Sequence, residues 1–116
     1  MINAIMQNKS GETAVLDLTA HYHEMYKDLQ AIGYYGSLER VLLSDEEDEE
    51  YRVKLYPDSD IGNSMIQLLN ENDTLYDAYL LDLAVTNARE EIKTDLEQNL
   101  LYGQYSTFSN VLEDML

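Results

Sequence analysis

The side chains of this chain that could carry chemistry are overwhelmingly carboxylates: 23 Asp and Glu against seven Lys and Arg. Paired carboxylates do acid–base work when their surroundings move their pKa values apart. With so many acids, close pairs arise from composition alone, so no pair marks a catalytic centre. The two histidines, His21 and His23, are two residues apart and fall on different faces of a helix. Neither an HExxH pattern nor a third His accompanies them. There is no Cys, hence no thiol nucleophile, disulfide or Cys-ligated metal. No serine sits in a G-x-S-x-G turn. The glycines at 11, 33, 36, 62 and 103 form neither GxGxxG nor GxxxxGK[ST]. Asp58-x-Asp60-x-Gly62 resembles part of a calcium loop, but its glycine falls one place early and the closing Glu is missing. It reads as a polar loop and helix cap. The expectation is a protein that is not an enzyme and has no cofactor and no metal site.

The acids themselves are the signal. The formal net charge is −16 over 116 residues, where about 2–8 suffices for solubility in a small domain. The surplus costs self-repulsion in the compact state. Six acids run consecutively, Asp45, Glu46, Glu47, Asp48, Glu49 and Glu50. Others continue through the second half, among them Asp77, Asp82, Glu90, Glu91, Asp95 and Glu97. These two groups are the candidate partner-binding residues: the run as an exposed acidic tip, the helical set as a rigid charge track. Direct nucleic-acid binding is disfavoured, because phosphate contacts come mainly from Lys and Arg and the seven here are scattered. Arg40, Arg52 and Lys54 flank the run and are expected to neutralise it across a hairpin.

The elements that must carry these residues follow from periodicity. Ile2 to Gln7 and Thr13 to Leu18 read as strands joined by Lys9-Ser10-Gly11-Glu12, a hairpin turn in which Gly11 supplies positive φ. Thr19 reads as an N-cap for a helix over about 20–32, with Tyr22, Tyr26, Leu29 and Ile32 on one side and Gly33 as its stop. Leu38 to Ser44 and Tyr51 to Tyr56 read as a second hairpin with the acidic run at its tip; Tyr51, Val53 and Leu55 alternate with Arg52 and Lys54. After Pro57 the period becomes helical. Asp60 caps a helix to about Leu69 carrying Ile61, Met65 and Leu68. Asp73 or Thr74 caps the next, with Leu75, Tyr79, Leu80 and Leu83 inward. Ala88, Ile92, Leu96 and Leu100 space a third, stopped by Gly103. Ser106 or Thr107 caps a short last helix with Phe108, Val111, Leu112 and Met115.

The order ββαββ followed by three or four short helices predicts an α+β fold: a small antiparallel sheet of two hairpins, then a helical bundle. Length and the lack of a Gly/Ser/Pro linker predict one domain over 1–116, with 1–57 forming the sheet and one helix and 58–116 the helical half. No run approaches the roughly 20 apolar residues of a membrane span. The first residues lack a basic stretch followed by an apolar one, so the expected compartment is the cytoplasm, with no membrane contact.

Ten tyrosines stand beside one Phe and no Trp. Tyrosine suits half-buried rims and interfaces, and Tyr34, Tyr35, Tyr102 and Tyr105 are the interface candidates. Charge density completes the argument. Duplex DNA carries one charge per about 1.7 Å of axis, so sixteen charges match about 27 Å of duplex. A sphere of this chain length is roughly 35 Å across. Such a body would be steered into a Lys- and Arg-lined duplex cleft, and its carboxylates would pair with arginines that otherwise hold phosphate or guanine.

The opening strand Ile2-Asn3-Ala4-Ile5-Met6, the acidic run 45–50 and the late segment Tyr105-Ser106-Thr107-Phe108-Ser109-Asn110-Val111-Leu112-Glu113-Asp114-Met115 carry a resemblance. The chain resembles the acidic, Tyr- and Leu-rich antirestriction proteins of the ArdA type found on conjugative mobile elements, and is similar in character to acidic anti-CRISPR proteins. It is shorter than full-length antirestriction proteins, so their dimer contacts do not carry over, and no single residue does so by motif. The resemblance implies an inhibitor acting as a DNA mimic, which occupies the nucleic-acid site of a host defence nuclease such as a restriction or CRISPR effector. The partner is then a basic nucleic-acid-binding protein, and the inhibitor a monomer or homodimer. The rival reading is an acidic protein–protein interaction adaptor or regulator without mimicry.

Overall fold

Ile2, Ala4 and Met6 alternate with Asn3, Ile5 and Gln7, and that alternation sets the centre of the molecule. In the computed structural model, which describes residues 1–19 and 22–114 and only the backbone of Tyr22, the first three are wholly buried. They lie on strand β1 (Ile2–Gln7). β1 pairs antiparallel with β2 (Thr13–Asp17) on one side and with β3 (Arg52–Pro57) on the other, giving the strand order β2-β1-β3. Gly11 makes the β1–β2 turn at φ 88°, a conformation that costs glycine nothing.

Five helices are present among the described residues: α1 (Tyr22–Ala31) between β2 and β3, then α2 (Asp60–Ile66), α3 (Leu75–Thr86), α4 (Glu90–Leu101) and α5 (Phe108–Asp114) after β3. The architecture is α+β. α1 packs beside β2, α2 lies on β1 and β3, and α3 is held between α2, α4 and α5. One core joins both halves, from Met6, Leu16 and Val53 of the sheet to Leu29, Met65, Leu81, Leu96 and Val111 of the helices.

Local chemistry sets the helix boundaries. Ser59, rather than Asp60, caps α2: its Oγ accepts the Gly62 N–H at 3.0 Å. Thr74 caps α3 in a capping box with Asp77, whose carboxylate accepts the Thr74 N–H at 2.9 Å while the Thr74 hydroxyl accepts the Asp77 N–H at 3.2 Å. That reciprocity satisfies two donors the first turn would leave open. Gly33 and Gly103 stop α1 and α4 with positive φ, as the spacing predicts. The Thr19 hydroxyl donates to Asp17; the start of α1 that Thr19 is predicted to cap adjoins residues 20 and 21, outside the described residues. Met115 of the predicted last helix lies outside the described residues.

Two expectations are corrected. Leu38 to Ser44 is not a strand and there is no second hairpin. Leu38–Arg40 form a 3₁₀ turn, and a single bridge joins Leu42 to Thr74. Burial at Leu38, Val41 and Ser44 recurs every third residue, which the period-two geometry of a strand cannot satisfy. The segment is pinned by backbone bonds instead, Leu43 N–H to Asp73 O at 2.9 Å and Leu75 N–H to Val41 O at 2.8 Å. The inward face of α3 also differs. Leu75, Ala78, Leu81, Asp82 and Val85 are buried, while Leu83 is 38% exposed.

Candidate partner-binding surface

The acidic run is a folded-back loop rather than a hairpin tip. Its backbone is held from two sides. Lys9 in the β1–β2 turn donates to the carbonyls of Glu47 and Asp48, each at 3.4 Å. Arg52 donates through Nε to the Asp45 carbonyl at 3.1 Å and through a terminal nitrogen to the Asp45 carboxylate, also at 3.1 Å. The loop closes where the Val53 N–H meets Ser44 O at 2.7 Å. Lys9 engages main-chain oxygens, so it orders the loop while leaving the Glu47 and Asp48 carboxylates to solvent. Asp45, Glu46, Glu47, Asp48 and Glu50 are exposed and Glu49 is half-buried.

Of the helical candidates, Glu90 and Glu91 in the first turn of α4 and Asp95 one turn on are exposed, and Glu97 is half-buried. Acids in a first turn also favour the helix through its dipole. Asp77 is half-buried with one oxygen committed to the capping box. Asp82 does not belong to the surface at all. It is 0% exposed and accepts the Ile2 N–H at 2.7 Å and the Thr86 hydroxyl at 2.9 Å. It also lies 3.4 Å from the Met1 ammonium, which Asp58 approaches to 3.5 Å. A carboxylate so enclosed cannot meet a partner's arginine, so Asp82 is removed from the candidate interface.

The Asp58-x-Asp60-x-Gly62 stretch serves the same N-terminal joint. Asp58 donates its N–H to Met1 O at 3.1 Å. A Cβ on Gly62 would stand 2.2 Å from that Met1 oxygen, so glycine is required by close approach. Among the described residues, no group of three or more His, Asp or Glu is gathered as a metal-binding cluster. His23 is exposed on α1, and His21 lies outside the described residues.

Of the 23 Asp and Glu side chains, only Asp82 is buried, which leaves 22 exposed or partly exposed. Among the described residues a single Lys or Arg forms an ion pair with them, Arg52 with Asp45. Arg40 does not neutralise the run in this way, and Lys54 sits 5.7 Å from the Tyr56 ring centroid. The molecule is elongated, 45 × 26 × 22 Å, rather than the sphere its length suggests. Sixteen net charges along 45 Å give one per about 2.8 Å, about 0.6 of the linear density of duplex DNA.

Sequence reasoning missed a cleft of about 300 Å³ beside the loop, lined by Tyr34, Arg40, Leu42, Glu49, Glu50 and Tyr51. The Tyr34 and Tyr51 rings meet edge to face, with centroids 5.1 Å apart and planes at 80°. Tyr34 donates its hydroxyl to Ser37 O at 2.5 Å, and Tyr51 donates to Gly33 O at 3.2 Å. Burial raises the Tyr34 pKa, and the nearby Arg40 charge partly opposes that rise. The signal available beforehand was the Tyr34-Tyr35 pair after a helix-stopping glycine, but its contact with Tyr51 spans a long loop. Of the four predicted interface tyrosines, Tyr35 and Tyr102 are 75% and 76% exposed. Tyr34 and Tyr105 are half-buried.

Compared with known proteins, the chain matches no family model, no curated protein and no solved structure.

Proposed function

We propose that this protein is an acidic mimic of nucleic acid that inhibits a host defence nuclease, of the restriction or CRISPR-effector kind, by occupying its nucleic-acid site. The observation that carries the reading is the surplus of uncompensated charge: 22 surface carboxylates, of which Asp45 pairs with Arg52 and Asp58 with the Met1 ammonium, on an elongated body. An ordinary acidic domain offsets part of such repulsion by internal pairs. Here two of the seven Lys and Arg do other work, Lys9 bracing a loop backbone and Lys54 lying near an aromatic ring. Charge left unpaired in the free protein is available to the Lys and Arg of a duplex-binding cleft. The acidic loop 45–50 and the α4 acids Glu90, Glu91, Asp95 and Glu97 are the contact residues of this reading.

The rival reading, an acidic adaptor without mimicry, draws on a different observation. Exposed Leu42 lines the Tyr34–Tyr51 cleft, and Tyr35, next in the chain to Tyr34, is 75% exposed, an aromatic and apolar surface of the kind that protein partners use.

One experiment separates them. The protein is added to type I restriction and Cas9-type effectors before DNA, at low and raised salt, with DNA-loaded effector as the order-of-addition control. Mimicry gives protection that weakens with salt and vanishes when DNA is already bound. Full cleavage at large inhibitor excess removes these targets and favours the adaptor.

A further inference from the structure

We propose that the Tyr34–Tyr51 cleft is a receptor for one arginine side chain of a basic protein partner. The proposal rests on the reading above only in taking the partner to be basic.

The cleft lies at the lower end of ligand-pocket volumes, a size suited to a side chain rather than to a whole cofactor. Its two rings are fixed before binding. The edge-to-face contact and the hydroxyl bonds to Ser37 and Gly33 carbonyls hold each tyrosine in place. Little conformational entropy then remains to be lost on association. With both hydroxyl protons committed to main-chain carbonyls, the rings contribute mainly π surface, which attracts cations.

Charge gives the same sign. Glu49 and Glu50 line the cleft against a single cation, Arg40. Among the described residues neither glutamate forms an ion pair, so both carboxylates are open to a ligand. A planar guanidinium can stack on a tyrosine while donating two parallel hydrogen bonds to a carboxylate. An ammonium, compact and strongly hydrated, gains less from the rings. The cleft is therefore selective for arginine, whereas the open acidic loop beside it is not.

The test titrates hexaarginine and hexalysine into the full chain and follows backbone amide NMR shifts of Tyr34, Gly36, Leu42 and Tyr51. Hexaarginine is expected to bind at least threefold tighter and to move these amides, whereas hexalysine moves chiefly those of 45–50. Tyr51→Leu should bring arginine affinity down to the lysine level, with far-UV circular dichroism confirming the fold. Arg40 is exposed, so Arg40→Gln tests the sign without disturbing the core. Removing its positive charge should tighten hexaarginine binding about threefold, as expected for a unit charge several ångströms away in a water-like dielectric.

Equal affinity for the two peptides, or weaker binding by Arg40→Gln, would overturn the proposal. Arginine selectivity without nuclease protection would leave the cleft standing and remove the nuclease reading. Protection with no peptide selectivity would do the reverse.

Discussion

The carboxylate of Asp82 accepts the backbone N–H of Ile2 at 2.7 Å, across a sequence separation of 80 residues. Ile2 opens the central strand and Asp82 lies in α3, so this bond ties the start of the sheet to the helical half. Every polar neighbour of the carboxylate is used: the Ile2 amide, the Thr86 hydroxyl and the nearby Met1 ammonium. Asp82→Ala would leave a buried amide without an acceptor and remove the ammonium's enclosed counter-charge. The ammonium keeps Asp58 at 3.5 Å, so the cost is mainly that of the unsatisfied amide, about 1–3 kcal/mol. Urea denaturation should show that loss, and Asp82→Asn, which keeps an acceptor, should lose less. A loss below about 1 kcal/mol for the alanine variant would contradict this account.

The orientation of α3 supplies a matched pair. Leu81 is fully buried and Leu83 is 38% exposed. Leu81→Ala should destabilise by about 2–5 kcal/mol through lost transfer energy and a cavity. Leu83→Ala should cost less, about 1 kcal/mol, since more than a third of Leu83 stays in water and its truncation opens no enclosed cavity. Thermal or urea unfolding of the two variants checks the contrast. Equal losses would mean that the helix presents a different face.

Acid should weaken the Asp17 turn. The Thr19 hydroxyl donates to the Asp17 carboxylate, and this bond is the main cause of its lowered pKa. Burial opposes it, and the Thr19 backbone N–H at 3.0 Å adds to the lowering. A depressed folded-state pKa contributes stability that is complete above the unfolded value of about 3.9 and is lost as pH falls through the folded value. Thr19→Val should raise the Asp17 pKa, read by carboxyl-carbon NMR titration, and shrink the acid-labile part of the stability. An unchanged titration would show that the hydroxyl bond contributes nothing.

Alkali acts on the other end of the chain. Burial raises the Tyr105 pKa, and its hydroxyl bond to Asp114 at 2.8 Å raises it further. The sign is opposite to that of Asp17. Stability from this group is complete below the unfolded value of about 10 and is lost as pH rises through the folded value. Asp114→Asn removes the carboxylate and should lower the Tyr105 pKa. The phenolate absorption of wild type and variant, compared across the alkaline range, reports the change.

Salt should stabilise this protein. A net charge of −16 with one Lys or Arg ion pair among the described residues means that self-repulsion outweighs attraction at the surface. Raising ionic strength shortens the Debye length from about 30 Å at 0.01 M to about 3 Å at 1 M. The melting temperature should therefore rise with sodium chloride. Neutralising 46–50 to Asn and Gln should raise it at low salt and flatten its salt dependence. A melting temperature that falls with salt would show that attractive pairs dominate.

What was legible beforehand was whatever depends on near neighbours in the chain. The apolar-rich strand Ile2 to Gln7, the glycines at 11, 33 and 103, a cap at Asp73 or Thr74 and the four-residue spacing of Leu96 and Leu100 each act within a few residues. Each stands in the structure as read. The net charge is a property of composition and needs no fold. Long-range pairing decided the rest. β3 joins β1 rather than the segment before the acidic loop, because Leu38, Val41 and Ser44 face the core at a spacing no strand allows. On α3 apolar residues surround the helix, so periodicity marks no face. Ala78 and the demand of Ile2 for an acceptor settle its rotation and draw Asp82 inside. The Tyr34–Tyr51 cleft likewise exists only once the loop between them has folded back. A carboxylate reads the same in sequence whether it meets water or a buried amide, and only the tertiary structure supplies the neighbour that distinguishes the two.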